Sequence, residues 1–385
     1  MKDKTYRIII GGDLLPSGTN IQLFEKGDSR QLFGEEICRL VAEADFSIVN
    51  LEGPLTDAAE QQEKTGPVIK APKNCVNGLK ALGVQAVNLA NNHITDYRQA
   101  GYVDTIHALE NSGISHVGSG AQLGGVISHL MIQLGAMRVC LYAVSEKFFN
   151  VPGEHTVGAN IYDEYIVCNE IRQLRMECDY LIVLYHGGAE YLQYPTPLVR
   201  RRCHRMADCG ADVIITQHTH CIGCEEQYGN SYILHGQGNF LFARQKRFPH
   251  LTKEGLLLEL RFMDNNVEIV KHHVSINNDV IRKDDNWDEI GFYQRSRNID
   301  DEAMIKQQYR DLKVGEIMNK FLLAAQGISL VSKIGLRFFP SYYKKRLAKS
   351  YTRKQILQNL CVIGQDRRNE DMFMVWEYIL EQTDK

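Results

Sequence analysis

Six short apolar runs punctuate the first part of the chain, at residues 6–11, 46–50, 86–89, 137–144, 180–185 and 213–216. Each is bounded by polar or glycine-rich sequence and reads as a strand. Helical patterns fall between several of them, at 97–112 and 197–209. This alternation predicts an α/β domain. Residues 231–235, 255–262 and 267–274 then follow at close intervals, a spacing that predicts an antiparallel meander. There is no internal repeat and no low-complexity tract.

The pattern changes after about residue 276. Residues 284–310 are polar and rich in Asp, Asn and Arg, a linker expected to become helical. Residues 318–331 are strongly apolar. From 333 to 354 there are eight basic residues and no acidic one, mixed with Phe338, Phe339, Tyr342 and Tyr343. Two readings fit: a helical cap with a solvated basic face, or an interfacial segment drawn to anionic lipid or to an acidic polymer. Gly327, Gly335 and Pro340 argue against one continuous helix. The expected organisation is a main domain over 1–280 and a mainly helical extension over 281–385.

Composition narrows the class. The chain has 385 residues, 44% apolar and 24% charged, as in ordinary globular proteins. A net charge of −3 gives no bulk attraction to nucleic acid, so none is expected as a partner. No signal-like apolar segment follows Met1, and no run approaches 18 apolar residues. The expected location is cytoplasmic, with peripheral contact at the inner membrane face. The ten scattered cysteines read as reduced thiols.

The most informative chemistry is the pair His218 and His220, just past the run 213–216. In an extended segment, residues i and i+2 share a side, so both imidazoles would face one metal or a pair. The plainer reading is two loop histidines. Cys221 and Cys224 make a Cys-x-x-Cys beside them, but no second ligand pair follows, and packing explains the thiols better. Five further polar clusters fall at expected strand ends: Gly11-Gly12-Asp13, residues 49–54 with Asn50 and Glu52, residues 88–93 followed by Asp96, residues 185–191, and residues 236–240. One edge of a sheet would gather them into a single site. Carboxylate and carboxamide oxygens with imidazole nitrogens suit Mn, Fe or Zn. Two such ions can clamp a reacting group and activate water near neutral pH. A nearby histidine can protonate the leaving group.

These stretches resemble the CapA, or poly-γ-glutamate capsule-synthesis, family of the calcineurin-like metallophosphoesterase superfamily. The likeness rests on Gly12-Asp13, Asn50-Leu51-Glu52, residues 90–97 with Asn92 and His93, residues 186–191, Gln217-His218-Thr219-His220 and residues 237–242. It implies a metallophosphoesterase-like αββα four-layer sandwich, with the helical extension outside it. It implies Asp13, Glu52, Asn92, His186, His218 and His220 as ligands for one or two divalent ions, with Asn50 supporting or joining them. His93 would be the acid; Asp96, three residues on and expected on the same helix face, would orient it; and Glu190 would meet substrate or back the ligands.

Three departures bear on activity. Phosphoesterases of the superfamily open with Asp-x-His, where this chain has Leu15. They carry an aspartate in the second motif, where it offers Asn50 and Glu52. Gln217 stands where a glycine is usual. Two functions follow as expectations. One is a metal-dependent hydrolase of capsule, poly-γ-glutamate or exopolysaccharide biosynthesis, cutting a phosphoester or an amide bond. The other is a catalytically weak assembly factor that binds polymer or a capsule synthase and docks its tail on an anionic membrane.

Overall fold

The computed structural model describes residues 5–62, 64, 67–121, 125–148, 150–152, 156–242, 248–263 and 266–311. Strands β1 (Tyr6–Leu15), β2 (Phe46–Leu51), β3 (Ala86–Asn88) and β4 (Ser115–Val117) lie side by side and parallel. The chain then starts a small three-stranded sheet with β5 (Ser119–Ala121) and β6 (Val126–Ile127). The antiparallel pair β7 (His129–Leu134) and β8 (Met137–Ser145) opens a second large sheet. After β9 (Val157–Ala159) closes the small sheet, β10 (Tyr180–His186) and β11 (Val213–Gln217) add in parallel to β8. The antiparallel pair β12 (Ile222–Tyr228) and β13 (Ser231–Gln237) completes this six-stranded sheet. β14 (Asn239–Phe242) crosses back to pair in parallel with β1. The meander β15 (Glu254–Met263), β16 (Asn266–Asn277) and β17 (Val280–Lys283) then fills the other side of the first sheet.

Strand periodicity explains the layering. Ile8 and Ile10 of β1 pack between the two sheets, with Leu141 and Ala143 of β8 and Ile182 and Leu184 of β10. Ile9, between them in sequence, faces the opposite way, toward Phe33 and Ile37 of the helix Ser29–Ala42. On the second sheet, Tyr142, Val144, Val183 and Tyr185 pack outward against Val167 and Ile171 of helix Glu164–Arg175 and Cys203 and Met206 of helix Pro197–Asp208. Both faces of each sheet are covered, so the central strands are apolar at every position rather than at alternate ones. The result is the expected helix–sheet–sheet–helix sandwich.

One expectation needs correction. Residues 231–235 do not belong to the meander; they form β13 of the other sheet. The apolar pattern is the same in both places, because each strand is buried on two faces. What separates them is the passage across at Gly238 and β14, which no hydrophobic period signals. The first compact unit runs to Ile299, so β17 and the helix Glu289–Arg297 are part of it. The basic–aromatic stretch 333–354 lies outside the described residues. Among the described residues, no helix is long and apolar enough to cross a membrane, and nine cysteines are free.

Buried carboxamides tie the sheets together near the C-terminal end of β1. Asn88 Nδ2 donates to Gln217 Oε1 at 3.2 Å, and Gln217 Nε2 donates to Gln237 Oε1 at 3.0 Å and to the Gly11 carbonyl at 3.3 Å. Gln237 Nε2 donates to the carbonyls of Ile10 (2.8 Å) and Leu256 (2.9 Å). Gln217, which replaces the usual glycine, is therefore a strut between sheets. Beside it the backbones of β1 and Gly238 nearly touch: a Cβ on Gly12 would stand 2.3 Å from the Gly238 carbonyl oxygen. Replacing Gln237 with Leu removes a donor from two buried backbone carbonyls and one acceptor from the Gln217 amide, which keeps Asn88 and Gly11. Gln237→Leu should cost about 3 kcal/mol in chemical denaturation. Gln227→Leu, at an exposed position, should cost less than about 0.5 kcal/mol. Equal losses would mean that the strut contributes nothing special.

Candidate metal centre

The polar clusters of the sequence meet where parallel strands of both sheets end, the usual place for a site in an open α/β sheet. Asp13 lies in β1, beyond an irregularity in its pairing with β2 between Gly11 and Asp13. Glu52 follows β2, and residues 91–93 follow β3 closely. His186 ends β10, and His218 and His220 follow β11. Their ligand atoms form two groups: Glu52 with His186 and His218, and Asp13 with Glu52 and His220. In each group the atoms lie within 4.8 Å of one another, and Glu52 belongs to both.

Glu52 is fully buried, and neither of its carboxylate oxygens has a hydrogen-bond partner. Its Oε1 stands 3.6 Å from His186 Nε2 and 3.7 Å from His220 Nε2. His218 Nδ1 is likewise buried and unpartnered. Orphaned acceptors of this kind are costly in a core, and a divalent cation satisfies all of them together. Asn92 Oδ1 lies 2.9 Å from His186 Nε2, the same ring nitrogen that Glu52 Oε1 approaches.

The supporting contacts set orientation. Asn50 Nδ2 donates to Asp13 Oδ1 at 2.7 Å, and Asn50 Oδ1 accepts from Asn91 Nδ2 at 3.3 Å, so both ends of its amide are engaged within the protein. His220 Nδ1 lies 2.9 Å from Asn239 Oδ1, while Asn239 Nδ2 donates to the Thr252 carbonyl at 2.8 Å. That second bond fixes the amide, so Asn239 accepts from Nδ1–H and leaves His220 Nε2 as the free donor atom. The sequence marked the cluster holding Asn239 but gave this residue no role.

The His218–His220 segment is not extended. Both residues have positive φ, 87° and 54°, and the ring centroids are 6.1 Å apart. The strain is held by His218 N–H donating to Asp13 Oδ2 (3.2 Å) and Tyr191 N–H donating to the Thr219 carbonyl (2.7 Å). The turn sends the two rings to different groups rather than side by side.

Charge follows the same logic. Burial raises the Asp13 carboxyl, but the hydrogen bond and charge of His220, helped by His186 and Asn50, outweigh it and hold it at about 2. Burial, then the Asp13 charge, pushes Glu52 well above the carboxylate range. Burial also drives His186 well down, and His218 to about 4, so both imidazoles are neutral, as ligation requires. For His220, burial is overcome by Glu52 and Asp13, which raise it to about 10. His220 and Glu52 are coupled, and the direction that decides is that of Glu52. This carboxylate needs more positive charge than the histidines supply. Glu190 is half-buried, and its charge acts on Glu52, His218 and His220.

His93 sits beside this group with Nδ1 2.7 Å from Asp96 Oδ2. The pair forms in a turn that precedes the helix Arg98–Asn111, not on a helix face. Carboxylates only accept, so His93 donates from Nδ1, and Nε2 is its other ring nitrogen. Lys64, which the sequence did not mark, also bonds Asp96. Cys221 and Cys224 are buried and belong to neither ligand group.

Residues 7–244 match the family described as bacterial capsule synthesis protein PGA_cap. The chain belongs to this family. Every side chain of the two ligand groups lies within the matched span of this PGA_cap chain. Capsule biosynthesis protein CapA of Bacillus anthracis is 26% identical over 236 residues, 59% of this chain and 57% of that protein. PGA biosynthesis protein CapA of Bacillus subtilis (strain 168) is 28% identical over 204 residues, 52% and 53% of the two chains. The match thus spans little more than half the length of these curated relatives. A solved structure described as a novel phosphatase, from Mycoplasma pneumoniae, aligns over 70% of this chain and 94% of its own, with 15% identity and a TM-score of 0.44.

Metal binding separates these residues. His218→Ala or His220→Ala should lower bound Mn or Zn sharply, read by elemental analysis and titration calorimetry. Asn239→Ala should weaken affinity by about 10- to 100-fold, through the freed His220 ring. Cys221→Ser and Cys224→Ser should bind as the parent does. Equal losses from the cysteine variants would point instead to a Cys/His site.

Proposed function

We propose that this centre holds one or two divalent ions and hydrolyses a phosphoester or amide bond in the making or handling of an anionic capsule polymer. The observation that carries the reading is Glu52, buried and unpartnered between His186 and His220. Asp13, Glu52, Asn92, His186, His218 and His220 would hold the ions. Bound there, ions would supply Lewis-acid polarisation and an activated water. The protein's own parts do the rest. Asn50 and Asn239 orient Asp13 and His220. His93, fixed through Nδ1 by Asp96, would act in its doubly protonated form, giving the Nε2 proton to the leaving group. Glu190 contributes negative charge at the edge of the group. The polymer is inferred from family membership and from the two relatives named for capsule and PGA biosynthesis.

One observation favours a second reading. Leu15, at the position of the superfamily's first histidine, is fully buried in the core between the first sheet and its helices. It removes a nitrogen ligand, and a weaker centre suits an assembly factor that binds polymer or a synthase. In that reading the basic–aromatic tail would dock on an anionic membrane.

Activity on phosphodiesters and γ-linked glutamyl peptides tests the choice. Hydrolysis should vanish with chelator and return with Mn or Zn. On substrates that expel a strongly basic leaving group, His93→Gln should keep metal and fold while losing about 10²- to 10⁴-fold in kcat. Undiminished hydrolysis of such substrates by His93→Gln would remove the acid role. Metal-loaded wild type inert on both substrate classes would leave the assembly reading.

A further inference from the structure

Lys64 lies 32 residues from Asp96 in sequence, yet its ammonium is nearly excluded from solvent, with its side chain 4% exposed. It bonds Asp96 Oδ1 and donates to the Asn92 carbonyl at 3.2 Å. The carbonyl belongs to the residue before His93, and the carboxylate to the residue three after it. One cation therefore brackets the turn that carries His93. Asp96 Oδ2 remains for His93 Nδ1 (2.7 Å) and for the Ile69 N–H (2.7 Å). Lys64 Nζ also stands 3.2 Å from His93 Nδ1. Because Nδ1 donates to the closer carboxylate, this last approach is charge against ring, not a hydrogen bond.

The chain around Lys64 is anchored on the same turn. Gln62 N–H donates to the Asp96 carbonyl at 2.8 Å, and Thr95 Oγ1 donates to Gln62 Oε1 at 3.1 Å. Lys70 lies over the Tyr97 ring, 4.5 Å from its centroid. A buried lysine is expensive unless its partners are fixed, and here each partner belongs to the His93 turn. Such an arrangement does more than satisfy a charge: it removes the rotational freedom of Asp96, and with it that of the imidazole.

We propose that Lys64 is the positioning residue of this centre, holding Asp96 and the Asn92 carbonyl so that the His93 ring keeps Nδ1 on Asp96 and Nε2 toward the leaving group. The inference rests on the hydrolytic reading above, in which His93 delivers a proton. Lys64 touches neither substrate nor metal in this scheme. Its loss should therefore matter only when the leaving group needs that proton.

The test compares metal-loaded full-length wild type, Lys64→Met, Lys64→Arg and His93→Gln on two diesters. Bis(4-nitrophenyl) phosphate expels a weakly basic phenolate, whereas diphenyl phosphate expels a more basic one. Lys64→Met should retain kcat within about threefold on the nitrophenyl ester and lose at least tenfold on the phenyl ester. KM and metal content should not change, and Lys64→Arg should recover part of the loss. His93→Gln should show the same selectivity, more strongly. In nitrogen-15 spectra of the metal-free protein, the His93 Nδ1–H signal should be a single protected resonance. It should be absent from His93→Gln and broadened or lost in Lys64→Met. Equal losses on both esters with an unchanged His93 signal would make Lys64 merely structural. If His93→Gln is selective and Lys64→Met is not, only the Lys64 role falls. If neither is selective, the acid role of His93 falls and takes the Lys64 role with it; if wild type cleaves neither ester, the phosphoester reading falls, and the Lys64 role with it.

Discussion

A buried carboxylate without a hydrogen-bond donor is among the most expensive things a protein can hold, and Glu52 is one. Its neighbours, His220 among them, relieve it only in part. The nearest imidazole nitrogens stop at 3.6 and 3.7 Å, and the adjacent Asp13 adds like charge. Much of the surrounding architecture serves to keep this arrangement in place. β1 is disrupted next to Asp13, β11 is followed by His218 and His220 with positive φ, and the amides of Asn50 and Asn239 are fixed at both ends. Strain and unmet polarity gathered at one point are what a functional centre looks like, since a core built for stability would avoid both.

The centre can carry these costs because the frame beneath it is rigid. Its ligands come from both sheets, so any sliding of one sheet over the other would separate Asp13 and Glu52 from His186, His218 and His220. The Asn88–Gln217–Gln237 strut resists such sliding close to the ligands, with hydrogen bonds that cross between the sheets. Gln217 precedes His218 directly. Sheet registry and ligand geometry are therefore joined through adjacent residues.

Much of this was legible in the sequence, for identifiable reasons. The starts of β1, β2, β3, β8, β10, β11 and β13 all matched apolar runs, because strands covered on both faces must be apolar throughout. The convergence of Asp13, Glu52, His186, His218 and His220 could be read because each follows or ends such a run. The sheet to which residues 231–235 belong could not be read, since both sheets ask for the same pattern. The turn at His218 was missed because non-glycine residues rarely adopt positive φ and nothing local announces it. His93 and Asp96 were paired by their spacing, but Lys64 reaches them across a loop, and contacts set by tertiary folding leave no period in the chain. The strands β4, β5, β6 and β9, of two or three residues each, are too short for a period to show.

The central claim is that Glu52 is shared between two cation positions. Anomalous diffraction from crystals grown with Mn or Zn tests it most directly. The account predicts one or two peaks in contact with the Glu52 carboxylate, one beside His186 and His218 and the other beside Asp13 and His220. A peak bound by Cys221 and Cys224, or metal-soaked crystals with no peak at Glu52, would contradict it.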